Sequence, residues 1–337
     1  MGKNKRNMQS QLIDKYGREL NYLRLSVTDR CNLRCYYCMP EEGVAFVPKK
    51  DVLTWEEMYL LSFVFTTLGV TKIRITGGEP FVRKGLISFL QNIKKLDGLN
   101  ELTITTNATL IEPYIDELKR LNIKQLNVSL DTLNAQRFHQ ITRRDNFANV
   151  YHTIYQLLDE GFQIKLNCVV SATKNVDDII PFIELTKPYN LAVRFLEEMP
   201  FNGSSVFENG NLNYKDIYEH ISRHYDDKIV ALINPKNSTS LNYKIHNYAG
   251  TFGIIPAFSR TFCGTCNRIR LSATGELRTC LYAAPATNLR DALRNGATEN
   301  ELSYIIINAI ANRAENGFEA EEKNAKQTHE SMSVLGG

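Results

Sequence analysis

Six of the seven cysteines in this 337-residue chain fall into two tight groups, and the seventh stands alone. The first group has the spacing C-x3-C-x2-C and the second C-x2-C-x13-C; the members are Cys31, Cys35, Cys38, Cys263, Cys266 and Cys280. Thiols clustered in this way indicate metal ligation in a reducing compartment rather than a disulfide framework. Cys168 lies in the apolar run LNCVV, and we expect it to be a core thiol.

The number of thiols in each group decides between metals. A structural zinc site requires four nitrogen or sulfur ligands in a closed tetrahedron, and neither group is followed by a histidine at finger spacing. In an iron–sulfur cluster each iron has its own fourth ligand, so one iron can stay open to a substrate. The pattern therefore favours two [4Fe–4S] clusters, each with one open iron. The alternative is a zinc-stabilised binding protein without enzymatic activity.

These cysteines need a scaffold, and residues 20–200 alternate strand-like runs with helical patterns. The candidate strands are Tyr22–Val27, Lys72–Thr76, Leu102–Thr106, Gln125–Leu130, Ile164–Val170 and Leu191–Leu196. Repeated strand–helix units predict parallel strands joined by right-handed crossovers. Because six strands are too few for a complete eight-stranded barrel, the pattern fits a partial barrel or an open doubly wound sheet.

Alternation within the strands decides between these two folds. A strand covered by helices on both faces is apolar throughout, whereas here Leu23 and Leu25 alternate with Arg24 and Ser26, and the other strands behave likewise. One face must then pack on helices while the other lines a polar lumen. The lumen cations would be Arg24, Arg74, Lys165 and Arg194. An antiparallel sheet with one solvated face is the alternative, and the intervening helices argue against it.

We therefore predict an α/β fold, a partial (β/α)6 TIM-like barrel of parallel strands with a smaller C-terminal cluster-binding region. The predicted parts are a variable basic extension over 1–16, the barrel over 17–240, and the C-terminal region over 241–337, which ends in a diglycine tail. The turn-rich run 200–213 reads as a loop or linker near that boundary. Two helices, Asn288–Arg294 and Glu301–Asn312, are expected beyond it.

Composition excludes several classes of protein. The net charge of +3 is too small to indicate nucleic-acid binding, and beyond the first six residues there is no long basic run. No apolar stretch is long enough to span a bilayer, and the basic start lacks the apolar segment of a secretory signal. We expect a cytoplasmic protein with no membrane association.

Two motifs carry a family resemblance. The first cysteine group, with Tyr37 before its last thiol, and the run Gly77-Gly78-Glu79-Pro80 after the second strand resemble the radical S-adenosylmethionine (SAM) superfamily. The second group, with Arg268-Ile269-Arg270 after its second cysteine, is similar to the GTP 3′,8-cyclase family of molybdenum cofactor biosynthesis. The resemblance runs from about residue 17 to the end of the chain.

The resemblance implies a role for each motif. The first cluster would bind SAM, whose contacts would be Tyr37, Gly78, Ser129 and Met199. The open iron of the second cluster would face the guanine of GTP, whose contacts would be Arg24, Arg74, Thr105, Lys165, Arg268, Ile269 and Arg270. No side chain is expected to be catalytic, because a 5′-deoxyadenosyl radical would abstract the C3′ hydrogen of GTP and the C3′ radical would attack C8. The tail Gly336-Gly337 would reach into this site.

The same resemblance implies partners. They are a cyclic pyranopterin monophosphate synthase that acts on the product, a reductant such as flavodoxin or ferredoxin, and a second copy of the chain in a homodimer. A radical SAM peptide-modifying maturase with an auxiliary cluster is the alternative enzyme. Such maturases usually carry more C-terminal cysteines than the three seen here and have less need of a cation-lined lumen.

Overall fold

The computed structural model of the protein describes residues 11–199, 212–324 and 331–332. Within these ranges twelve strands form one sheet in the order β12-β11-β10-β1-β2-β3-β4-β5-β6-β9-β8-β7. The strands are β1 Tyr22–Ser26, β2 Lys72–Thr76, β3 Glu101–Thr106, β4 Gln125–Ser129, β5 Gln163–Val170, β6 Ala192–Glu197, β7 Ile229–Ala231, β8 Leu241–Ile245, β9 Thr251–Ile255, β10 Arg268–Leu271, β11 Glu276–Arg278 and β12 Thr287–Asn288.

Helices follow the barrel strands and cover the outside of the sheet. They are α1 Trp55–Thr67, α2 Leu86–Ile93, α3 Ile115–Arg120, α4 Ala135–Thr142, α5 Phe147–Asp159, α6 Ile179–Glu184, α7 Tyr214–Tyr225, α8 Leu289–Arg294, α9 Glu299–Ala311 and α10 Gly317–Lys323. The start of α1 is set by a capping box, in which Thr54 Oγ1 accepts from the Glu57 amide while the Glu57 carboxylate accepts from the Thr54 amide. None of the described helices combines the length and hydrophobicity needed to cross a bilayer.

The predicted partial barrel is confirmed. Strands β1 to β6 pair in sequence order and are all parallel, and each agrees with its predicted bounds to within one residue. The register places Leu23 beside Ile73 and Arg24 beside Arg74, so equivalent faces line up across the sheet. Both predicted C-terminal helices are also present, as α8 and α9.

The sequence pattern missed two further parallel strands. Strand β10 pairs parallel to β1, and β9 pairs parallel to β6, so the C-terminal region extends both edges of the six-stranded core. Strands β11, β12, β8 and β7 then continue the two edges in antiparallel fashion, and the sheet does not close. These pairings join segments that are far apart in the chain. The segments do not belong to the strand–helix repeat, so the repeat could not predict them.

The alternation along the strands sorts the two faces as predicted. Outward side chains such as Leu25, Ile75, Val128 and Phe195 are fully buried against the helices. Cys168 belongs to this face, is buried, and has its thiol 3.5 Å from the Asp131 carbonyl oxygen, which confirms it as a core residue. The polar residues between them face the lumen.

Several sequence predictions fall outside the described residues. They concern residues 1–10 of the basic extension, residues 200–211 of the turn-rich run, and the Gly336-Gly337 tail. The boundary at residue 240 between barrel and C-terminal region stays a prediction, although β8 to β12 belong to the same sheet as β1 to β6.

This shared sheet leads to a test of the boundary. A chain that ends at residue 240 loses β9 and β10, so the hydrogen-bonding edges of β1 and β6 are exposed. We expect it to aggregate, whereas a control chain that ends at residue 324 keeps all twelve strands and should stay monodisperse. Size-exclusion chromatography and circular dichroism measure both. A folded, monodisperse 240-residue chain would show that the barrel is an independent domain.

Candidate functional site

Both cysteine groups line one cavity of about 690 Å³ in the lumen of the sheet. Its walls include the six clustered cysteines and the lumen-facing side chains of β1 to β6, β10 and their loops. Two sites that are far apart in the sequence therefore share one interior space.

The topology places the two groups at opposite ends of this cavity. Cys31 comes after the carboxyl end of β1, whereas Cys266 comes just before the amino end of β10, which pairs parallel to β1. Cys280 follows β11, which is antiparallel to β10, and so returns to the same end as Cys266. A five-residue strand such as β1 separates its two ends by roughly 15 Å. A ligand in the lumen can therefore lie between the groups.

A close backbone approach positions the first group. The Gly78 amide donates to the Thr28 carbonyl at 2.8 Å and the Glu79 amide donates to the Arg30 carbonyl at 2.8 Å, so the segment after β2 runs beside the segment that leads to Cys31. A Cβ atom on Gly78 would lie 2.1 Å from the Arg30 carbonyl oxygen. Glycine is thus required here by the backbone contact, independently of the predicted SAM contact.

Glu79 holds three segments at this end of the barrel. Its buried carboxylate accepts from the Asn107 amide at 2.7 Å, from Thr106 Oγ1 at 2.8 Å and from the Phe81 amide at 3.2 Å. Burial raises the pKa of Glu79 to about 7 although these hydrogen bonds lower it. Asn107 also lies with its side-chain amide nitrogen 3.7 Å from Cys31 Sγ.

The remaining predicted SAM contacts meet at the same end. The Tyr37 hydroxyl donates to Asp131 Oδ2 at 2.7 Å, and Asp131 Oδ1 accepts from the Val169 amide at 2.8 Å, so Asp131 fixes the loop between Cys35 and Cys38. Burial raises the pKa of Asp131 to about 6. Ser129 and Met199 also line the cavity. The described part of the C-terminal tail lies here too, since Ser331 Oγ donates to the Cys38 carbonyl at 2.6 Å and Met332 lines the cavity.

Basic side chains occupy the middle of the lumen. Arg270, Arg24 and Arg74 lie side by side on three adjacent strands, because Arg24 is in register with both of the others. Lys165 and Arg194 line the cavity from β5 and β6. For Arg194, this position was predicted from the alternation of side chains along the strand. Burial, together with Arg194 and Arg74, lowers the pKa of Lys165 to about 8. Burial likewise lowers the pKa of Arg194 and that of Arg270 to about 10.

Several buried polar atoms in the middle of the lumen lack hydrogen-bond partners among the described residues. They are Arg74 Nε, Arg194 Nε, Thr105 Oγ1 and Asn167 Oδ1. Unsatisfied buried polar groups are costly, about 1–3 kcal/mol each in mutational data. Positive charges and unused donors in one cavity favour an anionic ligand with many acceptor oxygens.

The second cysteine group is held by arginines at the other end. Arg313 donates through Nη1 to the Cys266 carbonyl at 2.9 Å and through Nη2 to Cys266 Sγ at 3.1 Å. Arg18 donates to the Cys263 carbonyl at 3.0 Å and to the Ala314 carbonyl at 2.8 Å. Burial raises the pKa of the Cys266 thiol, but the nearby charges of Arg313 and Arg268 outweigh this effect and lower the pKa to about 7. Such a thiol is readily deprotonated, as a metal ligand must be.

The run Arg268-Ile269-Arg270 splits between the two faces of β10. Arg268 and Arg270 line the cavity, and Arg268 Nη2 lies 3.3 Å from Thr239 Oγ1. The Ile269 side chain is fully buried in the apolar core, so the structure does not bring it to the cavity with its neighbours. The other predicted site residues all line the cavity.

Each group offers three thiols, a donor set that fits an iron–sulfur cluster better than the four ligands of a closed zinc site. Within residues 11–199, 212–324 and 331–332, no group of three or more His, Cys, Asp or Glu side chains is placed to hold a metal ion. In a cluster each thiolate binds a different iron, so the ligand sulfurs surround a larger group and need not meet at one point. Backbone turns, with the Cys38 amide 2.9 Å from the Cys35 carbonyl and the Cys266 amide 3.2 Å from the Cys263 carbonyl, keep each group together.

Sequence reasoning missed three site residues, Asp131, Arg18 and Arg313. Asp131 follows β4 directly, a position where polar residues commonly face a barrel's ligand, so a signal was present. Arg18 and Arg313 lie outside every motif. Arg18 contacts Cys263, which is 245 residues further along the chain, and Arg313 contacts Cys266, which is 47 residues earlier. Nothing local in the sequence marks them.

Two family models match the chain in succession. The model described as "Radical SAM superfamily" matches residues 25–186, and "Molybdenum Cofactor Synthesis C" matches residues 191–319. The sequence is 41% identical over 300 residues to "GTP 3',8-cyclase" of Pelotomaculum thermopropionicum, covering 88% of this chain and 92% of that protein.

Longer relatives and solved structures also match. "Molybdenum cofactor biosynthesis protein moc-5" of Caenorhabditis elegans is 38% identical over 307 residues, which are 90% of this chain but 51% of that protein, so the chain spans about half the length of the first curated relatives it matches. The crystal structure of Streptococcus suis SuiB bound to S-adenosylmethionine superposes with a TM-score of 0.57 at 16% identity, covering 86% of this chain and 69% of that one. At this identity the likeness shows the fold alone.

The lowered pKa of Lys165 gives a test of the cationic lumen. With a pKa of about 8, the Lys165 ammonium is mostly deprotonated at pH 9 in the free protein, and a bound polyanion should raise its pKa again. Binding of inorganic tripolyphosphate at about pH 9 should then take up close to one proton, measured by calorimetry in buffers of different ionisation enthalpy. Lys165→Arg should bind without this uptake, because a guanidinium stays protonated. If the wild-type protein takes up no proton on binding tripolyphosphate, or if the variant takes up as many protons as the wild type, Lys165 is not part of the anion-binding site.

Proposed function

This chain belongs to the GTP 3′,8-cyclase family of the radical SAM superfamily, and we propose that it converts GTP to (8S)-3′,8-cyclo-7,8-dihydroguanosine 5′-triphosphate, an early step of molybdenum cofactor biosynthesis. One observation carries the proposal beyond family membership. A single cavity has three thiols at each end and a row of buried cations between them. That arrangement suits a nucleoside triphosphate held between two clusters.

SAM and an iron–sulfur cluster are the cofactors of the radical SAM superfamily, and we infer a second cluster in this chain. Cys31, Cys35 and Cys38 would hold the first [4Fe–4S] cluster, and the second cysteine group would hold the other. When bound, the first cluster and SAM supply the 5′-deoxyadenosyl radical that removes the C3′ hydrogen of GTP. Tyr37, Gly78, Ser129 and Met199 would position SAM beside its cluster.

The lumen arginines would orient the substrate. A guanidinium matches phosphate oxygens in a bidentate, charge-assisted arrangement, about 1.5–3 kcal/mol for each hydrogen bond to a charged group. Arg24, Arg74, Lys165, Arg268 and Arg270 would bind the triphosphate, and Thr105 Oγ1 is a further buried hydroxyl in reach of the cavity. The fixed triphosphate would place C3′ toward SAM, which would bind at the carboxyl end of the strands beside the first cysteine group. Burial of the lumen side chains would limit the access of water during the reaction.

The second cysteine group would meet the guanine base. Its three thiols would hold a cluster at the amino end of the strands, where Arg268 and Arg313 also lie. Such a cluster would supply an acceptor for a nitrogen or oxygen donor of the base, so the guanine and the triphosphate would be held from different sides of the lumen. C8 would then be fixed relative to C3′.

Several partners belong to this proposal. An electron donor such as flavodoxin or ferredoxin would reduce the first cluster, and a cyclic pyranopterin monophosphate synthase would use the product. The Gly336-Gly337 tail would enter the cavity, because Ser331 already contacts the loop of the first group through the Cys38 carbonyl. Pairing of two copies as a homodimer is part of the same proposal.

The peptide maturase has less support. SuiB shares the fold with this chain at 16% sequence identity, whereas the GTP 3',8-cyclase of Pelotomaculum thermopropionicum is 41% identical over 88% of this chain. A cavity lined by cations at its centre also suits a triphosphate better than a peptide.

Separate roles for the two cysteine groups give the main test of the function. Wild-type protein, reconstituted anaerobically and given SAM, dithionite and GTP, should form the 3′,8-cyclised nucleotide, detected by mass spectrometry. Cys263→Ala or Cys280→Ala should lose this product but retain some 5′-deoxyadenosine formation, because the first group is intact. Cys31→Ala should lose both products, and Cys168→Ala, in the core, should keep both. Full turnover of GTP by Cys263→Ala would rule out the proposed second site.

Arg268 and Arg270 should matter for GTP rather than for folding. Losing one charge-assisted contact of about 1.5–3 kcal/mol should weaken GTP binding by roughly ten- to a hundredfold in Arg268→Ala or Arg270→Ala. Equilibrium dialysis measures this, with iron content as the folding check. Arg→Lys should rescue only partly, because an ammonium lacks the bidentate fork. Arg120→Ala, at an exposed arginine paired with Glu117, is the control and should bind GTP normally. Normal affinity in both cavity variants would leave the pair without a role in GTP binding.

A further inference from the structure

Arg313 makes an unusual contact with the second cysteine group. It follows α9, is 3% exposed, and directs both ends of its guanidinium at Cys266. Nη2 donates to the sulfur at 3.1 Å while Nη1 donates to the carbonyl of the same residue at 2.9 Å. The contact is bidentate, buried and charge-assisted, which are the features of a strong and well-oriented hydrogen bond.

Two neighbouring arginines, Arg18 and Arg268, contact the second cysteine group differently. Arg18 reaches the same end of the cavity and donates to main-chain carbonyls there, at Cys263 and Ala314. Arg268 places Nη1 4.0 Å from Cys266 Sγ, at the outer limit of a sulfur hydrogen bond. At the first cysteine group, Asn107 brings a neutral amide nitrogen to 3.7 Å from Cys31 Sγ. Cys266 differs in that its sulfur has a cationic donor at 3.1 Å.

Hydrogen bonds to the sulfurs are one of the main controls on the reduction potential of an iron–sulfur cluster. Adding one electron increases the negative charge on the ligand sulfurs, so a fixed cationic donor stabilises the reduced cluster more than the oxidised one. The same donor withdraws charge from the oxidised cluster and leaves its irons more electron-poor. An open iron is then a stronger acceptor for a nitrogen or oxygen donor of a substrate.

We propose that Arg313 is a positioning residue that sets the reduction potential and the acceptor strength of the second cluster, through its hydrogen bond to the Cys266 sulfur. This inference rests on the proposed function, because it requires that the second cysteine group hold a cluster. It adds a residue that lies in no cysteine motif and in no lumen strand. Arg313 acts through Cys266 and does not itself contact the reacting atoms.

The test isolates the second cluster. In a Cys31→Ala, Cys35→Ala, Cys38→Ala background, the remaining cluster is titrated with dithionite under anaerobic conditions and followed by electron paramagnetic resonance. Arg313→Met keeps the apolar stem but removes the charge and the donor. Its reduction equilibrium should fall by about tenfold, which is about 59 mV toward more negative potential for a one-electron couple. Arg313→Lys, a charge without the fork, should lie between Met and the wild type.

Arg18→Met is the matched control, because it removes a buried cation from the same end of the cavity without removing a donor to sulfur. Its shift should be clearly smaller than that of Arg313→Met. Should Arg313→Met fail to keep its iron, Arg313→Gln is measured in its place by the same criterion. An unchanged potential in the Arg313 variant, or an equal shift in Arg18→Met, would overturn the proposal. Absence of iron in the background protein itself would instead refute the second cluster and with it the proposed function.

Discussion

Burial of like charges in one lumen is the constraint on which the rest of the structure depends. Arg270, Arg24 and Arg74 lie in register on adjacent strands, and Lys165 and Arg194 face them from β5 and β6. Burial of charged groups is costly, and these cations lower one another's pKa, as Arg194 and Arg74 do at Lys165 and as Arg74 does at Arg194. Partial relief comes from the Tyr22 ring, which lies within 5.7 Å of Lys72, Arg74 and Arg268 cations. A polyanionic ligand would offset the repulsion among these cations, and the alternation of the strands places their side chains in the lumen.

The open sheet explains how one lumen can serve two cysteine groups. In a closed barrel the ligand site forms at the carboxyl ends of the strands, from the loops that follow them. Here β10 enters the sheet beside β1 from the C-terminal region, and its amino-terminal approach carries Cys263 and Cys266. The second cysteine group thus lies at the amino end of the strands, which in a closed barrel contributes to stability rather than to the ligand site. The shared hydrogen bonds of β1 and β10 fix the two ends relative to each other.

Local patterns in the sequence predicted the barrel strands and the lumen, because alternation of period two is visible within five residues, as in Leu23, Arg24 and Leu25. They predicted six parallel strands but not β9 and β10, whose partners are about 60 and 245 residues away. Ile269 illustrates a related limit. Its neighbours on both sides face the cavity, so family resemblance assigned it to the site, but the same period of two sends its side chain to the core. Arg313 was missed because it follows the end of α9 and contacts Cys266, which lies 47 residues earlier in the chain.

Charge also differs between the two ends of the cavity, which suggests how two ligands would be kept apart. The buried carboxyl groups of Glu79 and Asp131, with pKa values raised to about 7 and about 6, lie beside the first cysteine group and carry partial negative charge at neutral pH. Arg18, Arg268 and Arg313 lie around the second group. SAM carries a positive sulfonium and an ammonium group, which suit the end with the carboxylates. A triphosphate would be repelled from that end and attracted to the arginines at the centre of the lumen. In the proposed reaction the same gradient that discourages exchange of the two ligands would point the ribose of GTP, between its phosphates and its base, toward SAM.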